Sequence, residues 1–463
     1  MARLVHPAAP ARLDLREEQL SATIWWLALP AILETLLFSA VHFADTLIVG
    51  WLHSESALAA ALLGGVVMWL ATAPFMALSA AATSLVARGW GEGDFESARR
   101  CAAQALAMAF SFALVIYTVG WLLAERILTA MGGEPEVVAL GTAFLRVILG
   151  SILLGLPMMI ANGILRGTGN TKTPLRISAI MNVTNIVISA ALAFGWGPLP
   201  AMGLVGVAWG TVAARTLGGL MALSVLELGR SGIHVPLREF FTLRPAVLRR
   251  VWHLASPAML ERSLNSFAHL IFLTIVTMLG TTVLAAHNIA VQVESIVYMS
   301  AMGLGMAITA GVGQAVGAGQ SAAAERVMRL GFRWTGFAAL ALGVAFALFA
   351  RSGVVIFGAT PDVLRLAAMA LQIASLELVP MGWSIVLTGG LHGAGDTRSP
   401  LRIMIWCTIL FRFGGVYLLA IALEWGLAGV WIGTAIFWAF RALLLRAVMH
   451  RGAWKEIHAR GLA

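Results

Sequence analysis

The sequence is poor in charged residues. Only 11% of the 463 residues are Asp, Glu, Lys or Arg, whereas 60% are hydrophobic and the mean hydropathy is +0.88. A chain of this length cannot hide so much apolar surface inside a water-soluble core. The composition therefore excludes a soluble globular protein and predicts a polytopic integral membrane protein.

Sites built from clustered reactive side chains are also missing from the sequence. Cys101 and Cys407 are isolated, with neither metal-ligand spacing nor a disulfide framework. The polar connections contain no His/Asp or metal-ligand cluster, and the glycine-containing turns 167–170 and 393–396 lack the phosphate-loop pattern. We therefore predict a protein that is not an enzyme, has no catalytic residue, metal or cofactor, and does not use ATP directly.

Long apolar runs fill most of the chain. A membrane-spanning helix needs about 20 apolar residues, and glycine, proline and charge clusters divide this chain into about twelve such runs. We predict an all-α integral membrane protein with about twelve transmembrane helices. They are expected near residues 22–52, 56–86, 98–124, 137–165, 174–196, 202–228, 250–280, 284–316, 326–349, 362–391, 401–423 and 427–450.

One segment of the chain occurs twice. GILRGTGNTKTPLRI at 163–177 returns as GGLHGAGDTRSPLRI at 389–403, an offset of 389 − 163 = 226, with nine identical positions. This indicates an internal duplication of roughly 225 residues. In each copy we expect a tight turn whose Asn170 or Asp396, with the following threonine, caps the next helix. The matches extend to Pro30, Glu34, Ser39 and His42, which recur as Pro257, Glu261, Ser266 and His269.

Arginine and lysine are concentrated in alternate connections between the predicted helices. The connections after the second, fourth, sixth, eighth and tenth runs are basic, and the opposite set has few cations. By the positive-inside rule, both termini face the cytoplasm. The net charge of +9 thus reports orientation in the bilayer rather than binding to nucleic acid. With six helices per copy, we expect two six-helix lobes related by a parallel pseudo-two-fold repeat.

The domain limits follow from the one long polar segment. Residues 230–249 separate the two copies and are predicted to form a cytoplasmic inter-lobe linker. The predicted organisation is a cytoplasmic N-terminal segment at 1–21, an N-terminal six-helix lobe at 22–229, the linker, a C-terminal six-helix lobe at 250–450 and a cytoplasmic tail at 451–463.

Several short motifs follow one another in order along this duplicated frame. Pro30 and FADT at 43–46 lie in the first predicted helix, Asn182 and Asn185 in the fifth, and LAAH at 284–287 opens the eighth. With the paired turns, these features resemble the multidrug and toxic compound extrusion (MATE) family over nearly the whole chain. The resemblance implies an antiporter that exports amphipathic, often cationic, organic molecules in exchange for a cation.

Asp45 is the leading candidate for the coupling site. An ionisable group inside an apolar helix costs at least about 2.5–3.5 kcal/mol on insertion scales, so its presence needs a reason. A buried carboxylate can exchange a proton as its surroundings change; the structural alternative is a hydrogen bond to a neighbouring helix. His42, one turn earlier, is predicted to modulate the acidity of Asp45 or relay its proton. Glu34 lies on the same helix face at a different depth.

The resemblance also implies the other residues around the coupling ion. Family members with the fullest amino-terminal ion site carry a second carboxylate one turn after the asparagine of the fifth helix, where this chain has Ser189 after Asn185. Sodium gains from several oxygens and more than one negative charge, whereas a proton needs one carboxylate. The departure favours H+ over Na+ as the coupling ion, although Asn185, Ser189 and Thr211 could supply neutral oxygens to Na+.

The second repeat has ionisable residues of its own. In the family branch with a carboxyl-terminal ion site, a Glu lies about one turn beyond Glu261, where this chain has Asn265, and an Asp lies in the tenth helix, whose body here contains none. The structural alternative for the second repeat is an ion pair between Arg262 and a glutamate. We predict a polar network that supports substrate binding, formed by Glu34, His42, Asn182, Glu261, Asn265 and Glu294.

The predicted mechanism is alternating access, in which the lobes rock about the linker and Asp45 exchanges a proton for export of a cationic amphiphile. We expect a monomer in the cell membrane, of the bacterial inner-membrane type. Two alternatives stay open, namely sodium coupling and a lipid-linked oligosaccharide flippase with a larger cationic cavity. A membrane enzyme acting on lipids would need a catalytic cluster at the membrane surface, and a receptor would not transport.

Overall fold

The fold is that of a computed structural model, which describes residues 13–14, 16–229 and 232–459. Residues 1–12 and 15 of the predicted N-terminal segment, 230–231 of the linker and 460–463 of the tail lie outside this range. Just before the first helix, hydrogen bonds from Arg16 to the Asp14 carboxylate lower the pKa of that carboxyl to about 2.

The described residues form helices and no strand. The first repeat contains α1 (Glu17–Gly50), α2 (Glu55–Glu92), α3 (Phe95–Ala130), α4 (Pro135–Leu149), α5 (Ile152–Gly167), α6 (Lys172–Phe194) and α7 (Gly203–Glu227). The second contains α8 (Pro245–Thr277), α9 (Thr281–Gly317), α10 (Ser321–Val354), α11 (Pro361–Ala374), α12 (Leu378–Ala394), α13 (Arg398–Cys407), α14 (Gly426–Arg451) and the short α15 (Trp454–Ala459). π-helical turns at Thr408–Gly415 and Leu418–Ala422 extend α13.

The helices confirm a multi-pass membrane protein. Nine helices within the described ranges are long and apolar enough to cross a bilayer, and two bent pairs raise the number to as many as 11. The remaining predicted span corresponds to α8, which is long enough but carries Arg249, Arg250, Glu261 and Arg262 and is less apolar than the others.

The predicted runs 137–165 and 362–391 are each broken rather than continuous. α4 and α5 meet at 46°, and α11 and α12 meet at 55°. Ser151 stands at the first break and Glu377 at the second, at equivalent positions because 377 − 151 = 226. The duplication therefore includes an irregularity that hydropathy does not reveal.

The same helix contacts recur in both repeats. Thr83 Oγ1 in α2 donates to the carbonyl of Gly163 in α5 at 2.8 Å, and Thr309 Oγ1 in α9 donates to Gly389 in α12 at 2.9 Å. Glycine permits this close approach, since a Cβ added at Gly167 would lie 2.8 Å from the Thr83 oxygen. Small residues at helix interfaces are typical of membrane bundles.

The duplicated turns are capped as predicted by one of the two proposed residues. Asn170 Oδ1 accepts a hydrogen bond from the Thr173 amide at 3.1 Å, and Asp396 Oδ1 accepts one from the Ser399 amide at 2.9 Å. Thr171 and Thr397 make no side-chain cap hydrogen bond, so this part of the expectation was wrong. The acceptor one residue earlier already satisfies the free amide of the first turn.

The chain divides into two compact units. The first contains Leu33–His253, and the second contains Asp14–Ile32 and Leu254–Ala463. Residues 17–32 of α1 therefore belong to the second unit, and residues 245–253 of α8 belong to the first. These limits differ from the predicted lobes 22–229 and 250–450, because the first helix of each repeat begins in the other repeat's unit.

The polar linker is anchored to the first unit. Gln104 in α3 donates from Nε2 to the Thr242 carbonyl at 3.0 Å and accepts from the Arg244 amide at 3.0 Å. Arg99 lies 3.0 Å from Glu239, in the 3-10 turn Leu237–Phe241. The segment predicted as a hinge is thus held along α3 by both backbone and side-chain bonds.

Candidate functional site

Asp45 lies in the part of α1 that belongs to the first unit. Its side chain is partly buried, and Oδ1 has no hydrogen-bond partner. Within the described residues Asp45 makes neither the interhelical hydrogen bond proposed as its structural alternative nor an ion pair. The charged side chain whose field acts on Asp45 is that of Arg215 in α7. Asp45 is therefore a partly buried carboxylate without a direct partner, which is an expensive arrangement.

Arg215 is held at a distance from Asp45. Its Nη1 donates to Ser151 Oγ at 3.2 Å, at the break between α4 and α5. The aliphatic part of Arg215 packs over Gly155 of α5, where an added Cβ would lie 3.3 Å from Arg215 Cδ. Arg215 is not identified by the sequence analysis, because a lone arginine in an apolar run does not reveal which helix it faces.

His42 lies near Asp45 without bonding to it. Its ring packs edge-on against Phe38 with centroids 4.7 Å apart, and its carbonyl accepts from Thr46 Oγ1 at 2.9 Å. The field of Arg215 also acts on His42. A proton relay between His42 and Asp45 stays a prediction.

The predicted neutral ligands form a separate cluster between α6 and α7. Asn185 Nδ2 donates to Thr211 Oγ1 at 3.1 Å, and the hydroxyls of Thr211 and Ser189 both donate to the Val207 carbonyl, at 3.2 and 3.3 Å. All three side chains are buried. Asn185 Oδ1 has no partner. No hydrogen bond joins this cluster to Asp45 in the part of the chain that the structure describes.

Asn182 and Glu34 connect α1 to other helices of the first unit. Asn182 Nδ2 donates to the Leu37 carbonyl at 2.8 Å. Arg166 Nη1 lies 2.9 Å from Glu34 Oε2 and 3.0 Å from Oε1, while Arg166 Nη2 donates to Ser79 Oγ at 3.3 Å. Glu34 is thus neutralised by an arginine that the sequence had placed in a polar connection.

Glu261 in the second unit lies beside an arginine and a histidine. Arg441 Nη2 of α14 donates to Glu261 Oε1 at 2.8 Å, and His392 Nε2 of α12 lies 3.3 Å from Oε2. Arg262 donates to Tyr298 Oη at 3.1 Å. Arg441 is thus a cation hydrogen-bonded to Glu261, while the field of Arg262 also acts on that carboxylate.

The other predicted residues of the second unit surround Arg412. Arg412 Nη1 donates to Asn265 Oδ1 at 3.1 Å, and Nη2 lies 3.4 Å from His269 Nδ1. Glu294 neighbours Glu377, which is completely buried, and the field of Arg412 acts on both carboxylates. Glu377 was overlooked because only an Asp was sought in the tenth run.

A comparison with known proteins gives the chain a context. A family model described as MatE matches residues 30–191 and 257–418, one match for each repeat. Two curated relatives are named probable multidrug resistance protein NorM: one from Thermotoga maritima, 27% identical over 93% of this chain and 92% of its own, and one from Pseudomonas putida, 30% identical over 90% and 92%.

Solved structures agree with the fold. An outward-facing multidrug resistance MATE transporter of the MOP superfamily superposes with a TM-score of 0.89 at 22% identity, covering 97% of this chain and all of that one. A MOP-superfamily transporter from Pyrococcus furiosus, described as having a binding pocket of reverse polarity, gives 0.88 at 21% identity, with 96% and 99% covered.

Proposed function

The chain belongs to the MatE family of multidrug efflux transporters, and on that premise we propose that it exports amphipathic organic cations in exchange for protons by alternating access. The observation that supports this proposal most directly is Asp45, a partly buried carboxylate without a hydrogen-bond partner at Oδ1. Such a carboxylate can be neutralised by a proton, or it can attract a cationic substrate while it is ionised. Binding the proton and the cation at the same time is unfavourable, because the protonated carboxyl no longer carries the charge that attracts the cation. Competition of this kind couples the two fluxes.

The direction of coupling follows from where the two ligands bind. Protonation of Asp45 from outside removes the charge that holds an organic cation, and release of the proton inside restores it. The two states must differ in stability with the proton bound, since a ligand shifts a conformational equilibrium only by its differential affinity. We assign the protein to the cell membrane with both termini in the cytoplasm, and expect it to act as a monomer.

The buried arginines bear on the flippase alternative. Arg88, Arg166, Arg412 and Arg441 are all buried, so the interior is less acidic than the sequence indicated. Arg166 and Arg441 are nevertheless bound to Glu34 and Glu261. Two of these four guanidiniums are thus already neutralised, which weakens the case for a cationic pyrophosphate site.

The experiment is transport of a fluorescent lipophilic cation by proteoliposomes, driven separately by a proton gradient and by a sodium gradient. We expect the wild type to respond to the proton gradient alone, and Asp45→Asn to abolish that response. The control variant is Glu55→Gln, which removes a carboxylate at a helix end, in the first turn of α2. Asn182→Asp is unsuitable as a control because Asn182 binds α1. Sodium-driven transport that survives Asp45→Asn would contradict the proposal.

A second candidate site is favoured by the adjacency of Glu294 and Glu377 in the second unit. Two neighbouring carboxylates can share one proton or hold a monovalent cation between them. If this pair carries the coupling ion, Glu377→Gln will abolish ion-driven transport while Asp45→Asn will leave it. The same liposome assay therefore separates the two sites.

A further inference from the structure

The third helix of each repeat begins with a charged residue that binds the segment after the last long helix of that repeat. Arg99 in α3 and Glu325 in α10 occupy equivalent positions, since 325 − 99 = 226. Arg99 Nη1 lies 3.0 Å from Glu239 Oε1 in the linker, and Lys455 Nζ in α15 lies 2.8 Å from Glu325 Oε2. The two ion pairs therefore join corresponding elements of the two repeats, but with the charges exchanged.

Each of these segments also carries a buried aromatic side chain next to its charged residue. Phe240, directly after Glu239, is buried and stacks on Phe110 of α3 with ring centroids 6.0 Å apart. Trp454, directly before Lys455, is completely buried, and its Nε1 donates to a carbonyl of α14 at 3.1 Å. An exposed ion pair alone contributes little, whereas a buried aromatic ring removes a large apolar area from water. The aromatic side chains therefore hold the segments down.

The geometry of α15 shows how the second segment reaches α10. Gly452 caps α14 in the left-handed conformation with φ 70°, which turns the chain sharply. The Lys455 amide then donates to the Gly452 carbonyl at 2.9 Å. The turned segment packs α15 against α12 and places Lys455 beside Glu325 in the first turns of α10. α15 thus connects three helices of the second unit at one end.

The exchanged charges also match each segment to its own repeat. If the linker docked on α10, Glu239 would meet another carboxylate, that of Glu325. If α15 docked on α3, Lys455 would meet the guanidinium of Arg99. Repulsion against the wrong partner gives specificity as effectively as attraction to the right one. Such discrimination is useful here, because the two segments follow equivalent helices of a duplicated chain.

We propose that α15 is a strap that clamps the end of α14 to the beginning of α10, and that the polarity of the Lys455–Glu325 pair fits it to the second repeat. It is the counterpart of the linker turn that binds α3 in the first repeat. The inference does not depend on which ion or substrate is transported. Residues predicted only as a tail are thereby assigned a structural role in the second unit.

The test is hydrogen–deuterium exchange of the backbone amides of residues 452–459 in the purified full chain, because amides exchange through local opening. Lys455→Glu places two carboxylates together and is expected to speed exchange by roughly fivefold. Trp454→Ala removes the buried ring and should speed it by at least about a hundredfold. Adding Glu325→Lys to Lys455→Glu rebuilds the ion pair with the opposite polarity and should restore most of the protection.

Two controls separate the strap from general effects of charge. Arg351→Glu makes the same change of charge in the last turn of α10 and should leave exchange at 452–459 unchanged. Glu239→Lys should speed exchange at 237–242 in the linker and leave α15 protected. Arg99 is kept in this test because it also binds Glu96, at 2.7 Å.

Either of two results overturns the inference: exchange at 452–459 that is unchanged in Lys455→Glu, or a double variant that exchanges as fast as Lys455→Glu alone. The first result would mean that the ion pair does not hold α15. The second would mean that polarity does not select its partner. If Trp454→Ala does not fold, the charge variants still decide, because the Lys455 side chain is 39% exposed and its substitution leaves the core intact.

Discussion

Arg166 and His392 occupy the same position in the two repeats, since 392 − 166 = 226, and each contacts the glutamate of its own repeat. In the second repeat, Arg441 of α14 supplies the guanidinium that Arg166 of α5 supplies in the first. The duplicated glutamate is thus neutralised in both copies, but by cations from different helices. This difference gives the first two predictions.

Arg166→Met should destabilise the protein by about 3–5 kcal/mol, because it leaves the Glu34 carboxylate buried without its cation. The double substitution Glu34→Gln with Arg166→Met should cost less than the single one, since no charge is then left unpaired. The measurement is reversible unfolding in detergent. Arg365→Met is the control: its side chain is 79% exposed beside Asp362, and less than about 1 kcal/mol should be lost. Equal losses for Arg166→Met and Arg365→Met would contradict the buried pair.

Arg441→Met should cost more than His392→Gln. Arg441 makes the 2.8 Å charge-assisted bond to Glu261, whereas His392 is a secondary neighbour. We expect a loss of about 3 kcal/mol or more for Arg441→Met and about 1 kcal/mol for His392→Gln. Adding His392→Arg to Arg441→Met recreates the first repeat's arrangement and should recover part of the loss. The measurement is thermal unfolding of the wild type, the two single variants and the double variant. If the double variant is no more stable than Arg441→Met, an arginine at position 392 cannot replace Arg441 as the partner of Glu261.

Gln104→Leu should release the linker from α3. Two hydrogen bonds to the backbone of Thr242 and Arg244 are lost, each contributing about 1 kcal/mol. We expect cleavage by trypsin after Arg238 to become about tenfold faster, because cleavage follows the population of the open segment. Gln372→Leu, which removes only a 3.5 Å bond to Ala347, is the matched control. Unchanged cleavage would show that Gln104 does not hold the linker.

Gly167→Ala should reduce the yield of folded protein, whereas Gly50→Ala should be tolerated. A Cβ at Gly167 would lie 2.8 Å from the Thr83 carbonyl oxygen, while nothing lies within 4 Å of one at Gly50. Forcing α2 and α5 apart costs about 1–3 kcal/mol. The monodisperse fraction in size-exclusion chromatography and the melting temperature of each variant are the readouts. A normal melting temperature for Gly167→Ala would show that the two helices can separate at little cost.

The duplication and most helices could be predicted from the sequence because both depend on local information. Repeated residues align the two copies of the duplication, and the length of an apolar run predicts a membrane-spanning helix. The breaks at Ser151 and Glu377 could not, because one or two polar residues do not lower the hydropathy of a run enough to divide it. The reciprocal exchange of helix ends depends on packing between distant segments, which hydropathy does not report.

The candidate site divides in the same way. Asp45 is found from one observation, a carboxylate in an apolar run. Arg215 and Arg441 need the rotation of α7 and α14 about their axes, which sets which neighbour each arginine reaches. The repeat register could have revealed Arg166 opposite His392, and Glu377 opposite Ser151, had polar residues been compared position by position.

The exchange of helix ends limits how this protein can be divided. A cut in the linker would give two polypeptides, but residues 17–32 would leave with the first half and residues 245–253 with the second, each separated from the unit to which it belongs. Neither half would then be complete when synthesised alone. When the halves are co-expressed, residues 17–32 and residues 245–253 can each join the unit to which they belong. Each half would therefore need the other in order to fold completely.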